Sequence, residues 1–348
     1  MTREATLLLI ISGGLFAFFF LAIICSWFYS YFRELNTNKV RRQLVEMVSS
    51  YFKANHEIKP KVLERINAYV GRSAGRKDIL IHVLIGYGPE FMDNNQEQLM
   101  EFYDAAGIKA FLIKGLHAKS DNRKSLACRY LGELKVKDTE PYILELISSK
   151  NNDVIYNVLL ALSKLGDTKG FVQIFTHHSE NINISSRAII EVISVFNGSV
   201  EDLFKQTFDS SDDYIRGVLI KAAADYRIEG LRPYFVDHLK SDDKNIRIAS
   251  IRALCELKDR DDERHIIPLL EDKDWEVRAA AAKELEKLGT SSSFTALEKT
   301  TGDRVWWVRH NAAKTLILIP GGKEYASRII DGDDQYAREA IVSVIELM

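Results

Sequence analysis

In the stretch DWEVRAAAAKELEKLG, residues 274–289, a polar opening gives way to apolar and small positions that recur at helical spacing. The outline returns along the chain. With Arg278 as reference, the same place is held by Lys124, Ile155, Arg187, Arg216, Arg247, Arg309 and Arg338, at intervals of 31, 32, 29, 31, 31, 31 and 29 residues. One position earlier stand Val154, Ile215, Ile246, Val277, Val308 and Ala337; seven positions later stand Leu131, Leu162, Ala223, Leu254, Leu285, Leu316 and Ile345. Offsets of minus one, plus three, plus seven and plus ten share one helical face, so each unit contains an amphipathic helix with a narrow, alanine-rich seam. Small seam residues let neighbouring helices approach closely.

Four positions ahead of the reference lie Asn151, Asn183, Asp212, Asp243, Asp274 and Asp334, short polar side chains suited to accept the unpaired amide protons of a first helical turn. Val305 breaks the series, leaving Asp303 or an altered turn to serve there. A second apolar stretch precedes each cap: PYILELIS from Pro141, YFVDHL from Tyr234, IIPLLE from Ile266. Pro141 and Pro233 suit a first turn, and Pro268 bends its helix. Each unit is therefore a helix, a turn and a second helix. Residues 38–118 are helical but poorer repeats: VRRQLVEMVSSYF has helical spacing, and EQLMEFYDAAGIKAFLIKGL reads as two helices meeting near Gly107. Atypical units of this kind are expected at the end of a repeat array.

The amino-terminal end follows another pattern. From Ala5 to Phe32 run 28 residues without a charge, long enough as a helix to exceed the roughly 30 Å hydrocarbon core of a bilayer. A cleaved signal peptide is the rival reading. The length, the lack of an A-x-A-like exit, and Trp27, Tyr29 and Tyr31 at the far end favour an uncleaved anchor. Cys25 as a lipid-modified residue is opposed by the bulk of Ile24. Arg33, Lys39, Arg41 and Arg42 on the far flank, against Arg3 and Glu4 on the near one, place the amino terminus outside and the rest in the cytoplasm.

The 348 residues are 46% apolar and 28% charged, a globular balance whose net charge of −2 conceals an asymmetry. Residues 33–77 hold eleven Lys or Arg against four Glu, a net of +7, and residues 78–348 have a net of −9. A basic collar beside an anionic leaflet is one reading, with Arg33, Lys39, Arg41 and Arg42 at the membrane surface, and a bare topology signal is the other. Cys25, Cys128 and Cys255 form no disulfide framework and fit a reducing compartment. The N-x-S sequences at Asn183 and Asn197 would matter only in a secretory lumen.

Chemical motifs are missing from the sequence: no Walker loop, G-x-S-x-G, H-E-x-x-H or paired C-x-x-C. No catalytic residue, metal or cofactor is expected, so the chain reads as a non-enzyme. The most suggestive surface feature is aromatic. Trp275 and Trp306 hold the same place in consecutive repeats and Trp307 follows, either as a partner-binding edge or as covers for their own turns.

The D-x-x-V-R-x-x-A-x-x-x-L-x-x-L outline, fullest in DWEVRAAAAKELEKLG and substituted in DKNIRIASIRALCEL, resembles the HEAT repeat, in particular the short bacterial form of the phycobilin lyase subunits. The resemblance covers roughly residues 119–348. It implies an all-α chain in which residues 119–348 form a right-handed α-solenoid of helix pairs; with the hydropathy and charge patterns above, the chain divides into a short tail (1–4), a transmembrane helix (5–32), a basic juxtamembrane cap (33–118) and that solenoid. It also implies a structural ladder in which Asp212, Asp243 and Asp274 meet Arg216, Arg247 and Arg278 between neighbouring units, with Arg309 and Arg338 in the same row.

The functional expectation is a single-pass scaffold of the cell (inner) membrane that docks a protein partner at the cytoplasmic face. Membrane-anchored bacterial proteins resembling this layout imply an accessory subunit of a membrane complex, a glycosyltransferase making surface polysaccharide. A lyase-type enzyme resembling phycobilin lyases is the alternative. HEAT-like di-iron hydroxylases carry several His-Glu pairs where this chain has only His56-Glu57, and an acidic array gives little support to nucleic-acid binding.

Overall fold

The computed structural model describes residues 3–178, 182–208 and 212–347, with side chains described from Ser12 onward except Ala17. Met1 and Thr2, in the expected tail, lie outside the described residues, as do the side chains of residues 3 and 4 in that tail and of residues 5–11 and 17 in the expected anchor. Among the described residues every regular element is helical. The chain divides into two compact units, residues 1–117 with 133–137, and residues 118–132 with 138–348.

The first unit is organised on α1 (Arg3–Lys53), a single helix of 51 residues, about 77 Å long at the usual rise. Its two halves serve different surroundings. In the first half Phe16, Phe18, Ile23 and Trp27 are between 61% and 75% exposed. The second half buries Val40, Leu44, Val48 and Tyr51, a three-and-four spacing that makes one face, against α2 (Lys59–Val70) and α3 (Ala74–Ile85). The boundary expected between Phe32 and Arg33 thus falls inside a continuous helix. After Gly14 the helix contains neither Gly nor Pro, the usual sites of a kink.

Three shorter helices complete this unit: α4 (Pro89–Asn94), α5 (Gln96–Ala105) and α6 (Ile108–Leu116). The last two are separated at Gly107, whose φ of +65° is a conformation that glycine adopts without strain. Its core is aromatic, with Tyr51 4.8 Å from Phe102 and Phe52 5.0 Å from Phe91, centroid to centroid. The buried Tyr103 hydroxyl donates to the Leu134 carbonyl at 3.2 Å, which fixes residues 133–137 in this unit.

Among the described residues the second unit begins with α7 (Asp121–Glu133) and continues as seven helix pairs. These are α8 (Glu140–Leu144) with α9 (Asn152–Leu165), α10 (Thr168–His177) with α11 (Ser186–Ser194), α12 (Val200–Thr207) with α13 (Asp213–Tyr226), and α14 (Arg232–His238) with α15 (Lys244–Glu256). They continue through α16 (Glu263–Ile266) with α17 (Trp275–Glu284), α18 (Phe294–Thr301) with α19 (Trp306–Leu318), and α20 (Gly322–Ile330) with α21 (Gln335–Leu347). Second helices stack on one another in sequence, α13 on α15, α15 on α17, α17 on α19 and α19 on α21, so the unit is an α-solenoid. The seam is buried as its composition requires: Val277, Ala281, Leu285 and Leu288 are at most 1% exposed.

Pro141 and Pro233 sit in the first turns of α8 and α14, where a missing amide proton costs nothing. Pro268 stands where α16 tightens into the 3-10 helix Ile267–Glu271. At the C-terminus of α9, Gly166 has a φ of +73°, and a Cβ there would lie 2.5 Å from the Asn197 carbonyl oxygen. That approach lets the Asn197 amide donate to the Ser163 carbonyl at 2.9 Å, joining two successive repeats through their backbones.

Candidate functional site

The turns between paired helices are built by short polar side chains. Asn151 accepts from the amides of Asp153 and Val154, Asp212 from Ile215, Asp243 from Asn245 and Ile246, and Asp334 from Ala337. Each offsets part of the unpaired amide set at a helix start. Asn183 departs from its expected role. Ser185 caps α11 instead, accepting from the Ala188 amide at 3.2 Å, so Arg187 is only the second residue of its helix while its counterparts are the fourth. The interval of 29 residues after Arg187 in the sequence marks this slip.

The reference arginine serves two neighbours at once. Backward, its guanidinium closes the end of the first helix of its own pair: Arg247 donates to the carbonyls of Ser241 (2.7 Å) and Asp242 (3.0 Å), Arg278 to Asp272 (2.9 Å) and Lys273 (3.4 Å), and Arg309 to Asp303 (2.6 Å). Arg338 donates to Ile330 at 3.0 Å and Gly332 at 2.6 Å. Forward, Arg247 grips Asp272 through two bonds of 2.9 Å and reaches Asp274 at 2.7 Å. Arg278 grips Asp303 at 2.7 and 3.1 Å.

The main acids of this ladder are therefore Asp272 and Asp303, six positions before the next reference residue, and not the residues at minus four. Asp274 does join the ladder, but its carboxylate turns to Arg247 and makes no cap bond. Asp212 and Asp243 spend their carboxylates on helix amides, and Arg216 pairs with Asp213 at 2.8 Å within its own helix. The minus-six residue had a signal available: it also accepts from the amide two residues on, as Asp272 does from Asp274 and Asp303 from Val305, both at 2.8 Å. Ser149 and Ser241 do the same toward Asn151 and Asp243. Burial pushes the Asp303 carboxyl up, but hydrogen bonds from Arg278 and the Val305 amide outweigh it and hold the group below the usual range.

A sequence profile of HEAT repeats matches residues 110–189, 233–317 and 263–346, more than half of the chain. The chain belongs to the HEAT-repeat family.

No curated protein matches the sequence. Solved structures with related folds include an engineered protein, 15% identical, covering 88% of this chain and 98% of its own at a TM-score of 0.40. The complex of CpcE and CpcF of phycocyanin lyase from Nostoc sp. PCC7120 is 13% identical, covering 69% and 94%, TM-score 0.28. Human deoxyhypusine hydroxylase in complex with glycerol is 12% identical, covering 90% and 96%, TM-score 0.29. At these identities and scores the likenesses say nothing of what the chain does.

The remaining candidate residues are exposed. Trp275, Trp306 and Trp307 are 39%, 50% and 58% exposed. Trp306 stacks on His310 with centroids 4.9 Å apart, meets Trp307 edge to face, and borders a cleft with Arg309, Tyr336 and Glu339 between α19 and α21. Arg309 lies 5.0 Å over the Tyr336 ring, so the aromatic edge is tied into the ladder row. Arg33, Lys39, Arg41 and Arg42 are all exposed on α1, on either side of the point where Val40 begins the buried face. His177 ends α10, His178 follows it, and His56 and Glu57 occupy the turn before α2. Cys128 and Cys255 are buried as free thiols, and burial pushes Cys128 up to about 12. A thiol held so far from ionisation is a packing residue.

The HEAT repeats also present an open groove of about 700 Å³ along the second helices α13, α15 and α17, floored by Gly217, Val218, Ile248 and Ala249. Within it Glu256 is held by Arg227 at 3.1 Å and by Lys287 at 2.5 Å, and Lys287 also reaches Glu284 at 2.7 Å. That network ties three successive repeats across the groove floor.

Proposed function

We propose that the chain is a membrane-anchored docking scaffold. In this reading α1 crosses the membrane with the amino terminus outside, and the HEAT repeats face the cytoplasm and bind a protein partner without a catalytic step of their own. The supporting observation is α1 itself. One helix carries an apolar, solvent-exposed first half that is long and apolar enough to cross a membrane, and then enters the buried core of a folded unit. Exposed apolar surface on that scale calls for a lipid or protein cover. HEAT repeats in turn form a helical scaffold suited to protein interaction, with an extended face of stacked second helices. The basic flank Arg33, Lys39, Arg41 and Arg42 supports the cytoplasmic orientation.

The test is a pull-down of the full-length protein from membranes in mild detergent, with a form lacking residues 1–32 run beside it. The expected result is a stoichiometric membrane protein recovered with the full-length chain; a membrane glycosyltransferase there would also satisfy the accessory role that the layout implies. Recovery of the full-length chain in the soluble fraction without detergent removes the anchor. A bound small molecule with no protein partner replaces docking with the lyase-type reading.

A further inference from the structure

Five positions after the ladder arginine, four consecutive repeats carry a cation: Lys221 on α13, Arg252 on α15, Lys283 on α17 and Lys314 on α19. All four are exposed. Because these helices stack in order, equal positions form a row, with neighbours about 8–10 Å apart at ordinary helix packing distances. Lys221 and Arg252 line the same groove. The row is weakly engaged by the protein itself. Arg252 approaches Glu284, and Lys314 approaches Glu286, only to 3.8 Å, and Lys221 and Lys283 have no ion-pair partner among the described residues.

Of the five acids lining the groove, Asp225, one turn after Lys221, is exposed, and the other four are committed. Asp213 is bound to Arg216, Asp243 caps α15, and Glu256 and Glu284 are held by Lys287. On the other side, toward the helix starts, the same face presents rings: Tyr214, Trp275, Trp306 and Tyr336 are between 39% and 60% exposed. Between cations and rings lie Gly217, Ile248 and Ala249, small enough to leave room for a ligand. Between α13 and α15 the face therefore has cations on one side, a shallow apolar floor, and Tyr214 on the other side, and both the cations and the rings continue on α17 and α19.

Resting on the docking reading, we infer that this face binds an amphipathic helix of a partner protein, with carboxylates along one side and apolar residues along the other. An α-helix returns to the same side every seven residues, about 10.5 Å, which is close to one repeat step. Carboxylates at that interval meet Lys221, Arg252, Lys283 and Lys314 in turn while the apolar side lies against the floor and the rings. Charge complementarity of this kind sets register and orientation as well as attraction. A nucleic acid would use the cations but would not need the apolar floor.

The experiment measures fluorescence anisotropy of a helical peptide of about 22 residues, about 33 Å long, with Glu at every seventh position and Leu on the opposite flank. The receptor is the full-length chain in mild detergent. Its competitors are the Lys-for-Glu counterpart and a single-stranded oligonucleotide. The K221E/K283E double variant removes two exposed cations that have no ion-pair partner among the described residues, and K169E/K323E, on α10 and α20, is the control. Binding of the acidic peptide that falls about tenfold or more in K221E/K283E, stays within about twofold in the control, and weakens with salt is the expected result. Equal binding by both variants, no binding of the acidic peptide, or tighter binding of the oligonucleotide overturns the inference. A membrane partner recovered equally with wild type and K221E/K283E would refute this row alone, and the absence of any partner from wild type would refute docking itself.

Discussion

Replacement of Arg278 by Ala removes the forward grip on Asp303 and the backward bonds to Asp272 and Lys273 together. Arg278 is 7% exposed, and its partner's side chain is 12% exposed, so the pair is withdrawn from water. Removing one member of a buried ion pair strands the other, a loss of about 3–5 kcal/mol, and some of that is recovered here when Asp303 takes up a proton or water. The expected net loss is about 3 kcal/mol. Its location matters as much as its size. In a repeat array stability is a sum of repeat and interface contributions, so the weakened interface is the one between α17 and α19.

The assay is hydrogen exchange read by mass spectrometry on the full-length protein in detergent. Amides of α18 to α21 are expected to exchange about a hundredfold faster in Arg278→Ala, while α13 and α15 change little, because about 1.4 kcal/mol corresponds to a factor of ten and part of the loss is shared with the neighbouring pair. The difference from wild type also shrinks as pH falls through the carboxylate range, since a protonated Asp303 no longer needs its partner. Unchanged exchange in α18 to α21 would refute the assignment of Arg278–Asp303 as the bond between these repeats.

Three further perturbations follow from the same geometry. Asp303 and Glu256 both titrate below the usual carboxylate range in the folded chain, Glu256 chiefly through its hydrogen bond from Lys287; their contribution is complete above their unfolded values, near pH 4, and is lost as pH falls through the folded ones, so thermal melts should stay flat from neutral pH down to about 5 and drop below 4. Gly166→Ala places a methyl against the Asn197 carbonyl at a positive φ and is expected to lower stability by about 2 kcal/mol, with chemical denaturation as the readout and a loss below about 0.5 kcal/mol as the contrary result. Trp306→Ala removes a half-exposed ring from the aromatic edge; partner capture is expected to weaken while the melting temperature changes little, and full capture would exclude that edge from docking.

Much of the solenoid was legible because a repeat restates its constraints. The reference arginines and the seam leucines and alanines occupy one phase, and Val277, Ala281 and Leu285 are buried as that phase demands. The ladder acids were less legible. An Asp at minus four can cap a helix or meet an arginine, and its spacing is the same in either case; only the folded geometry separates Asp243, which caps, from Asp274, which bonds Arg247. The ladder role of Asp272 and Asp303 has no sequence signature, because their counterparts Ser149 and Ser241 share a hydrogen-bonding role and no charge. The cationic row escaped for a related reason. Lys and Arg on a solvent face carry no apolar period, and their alignment emerges only when the helices are stacked.

The continuity of α1 has a mechanical consequence. Apolar helices longer than the bilayer is thick lean over to match it, and at about 42 Å against roughly 30 Å the charge-free stretch of this helix is longer than most. With neither Gly nor Pro after Gly14, the angle that a bilayer imposed on a spanning α1 would be carried into the folded unit built on Val40, Leu44 and Val48. In such a membrane the thickness and composition of the lipid would act as a goniometer for that unit, and a cell could re-aim it by changing its lipids alone.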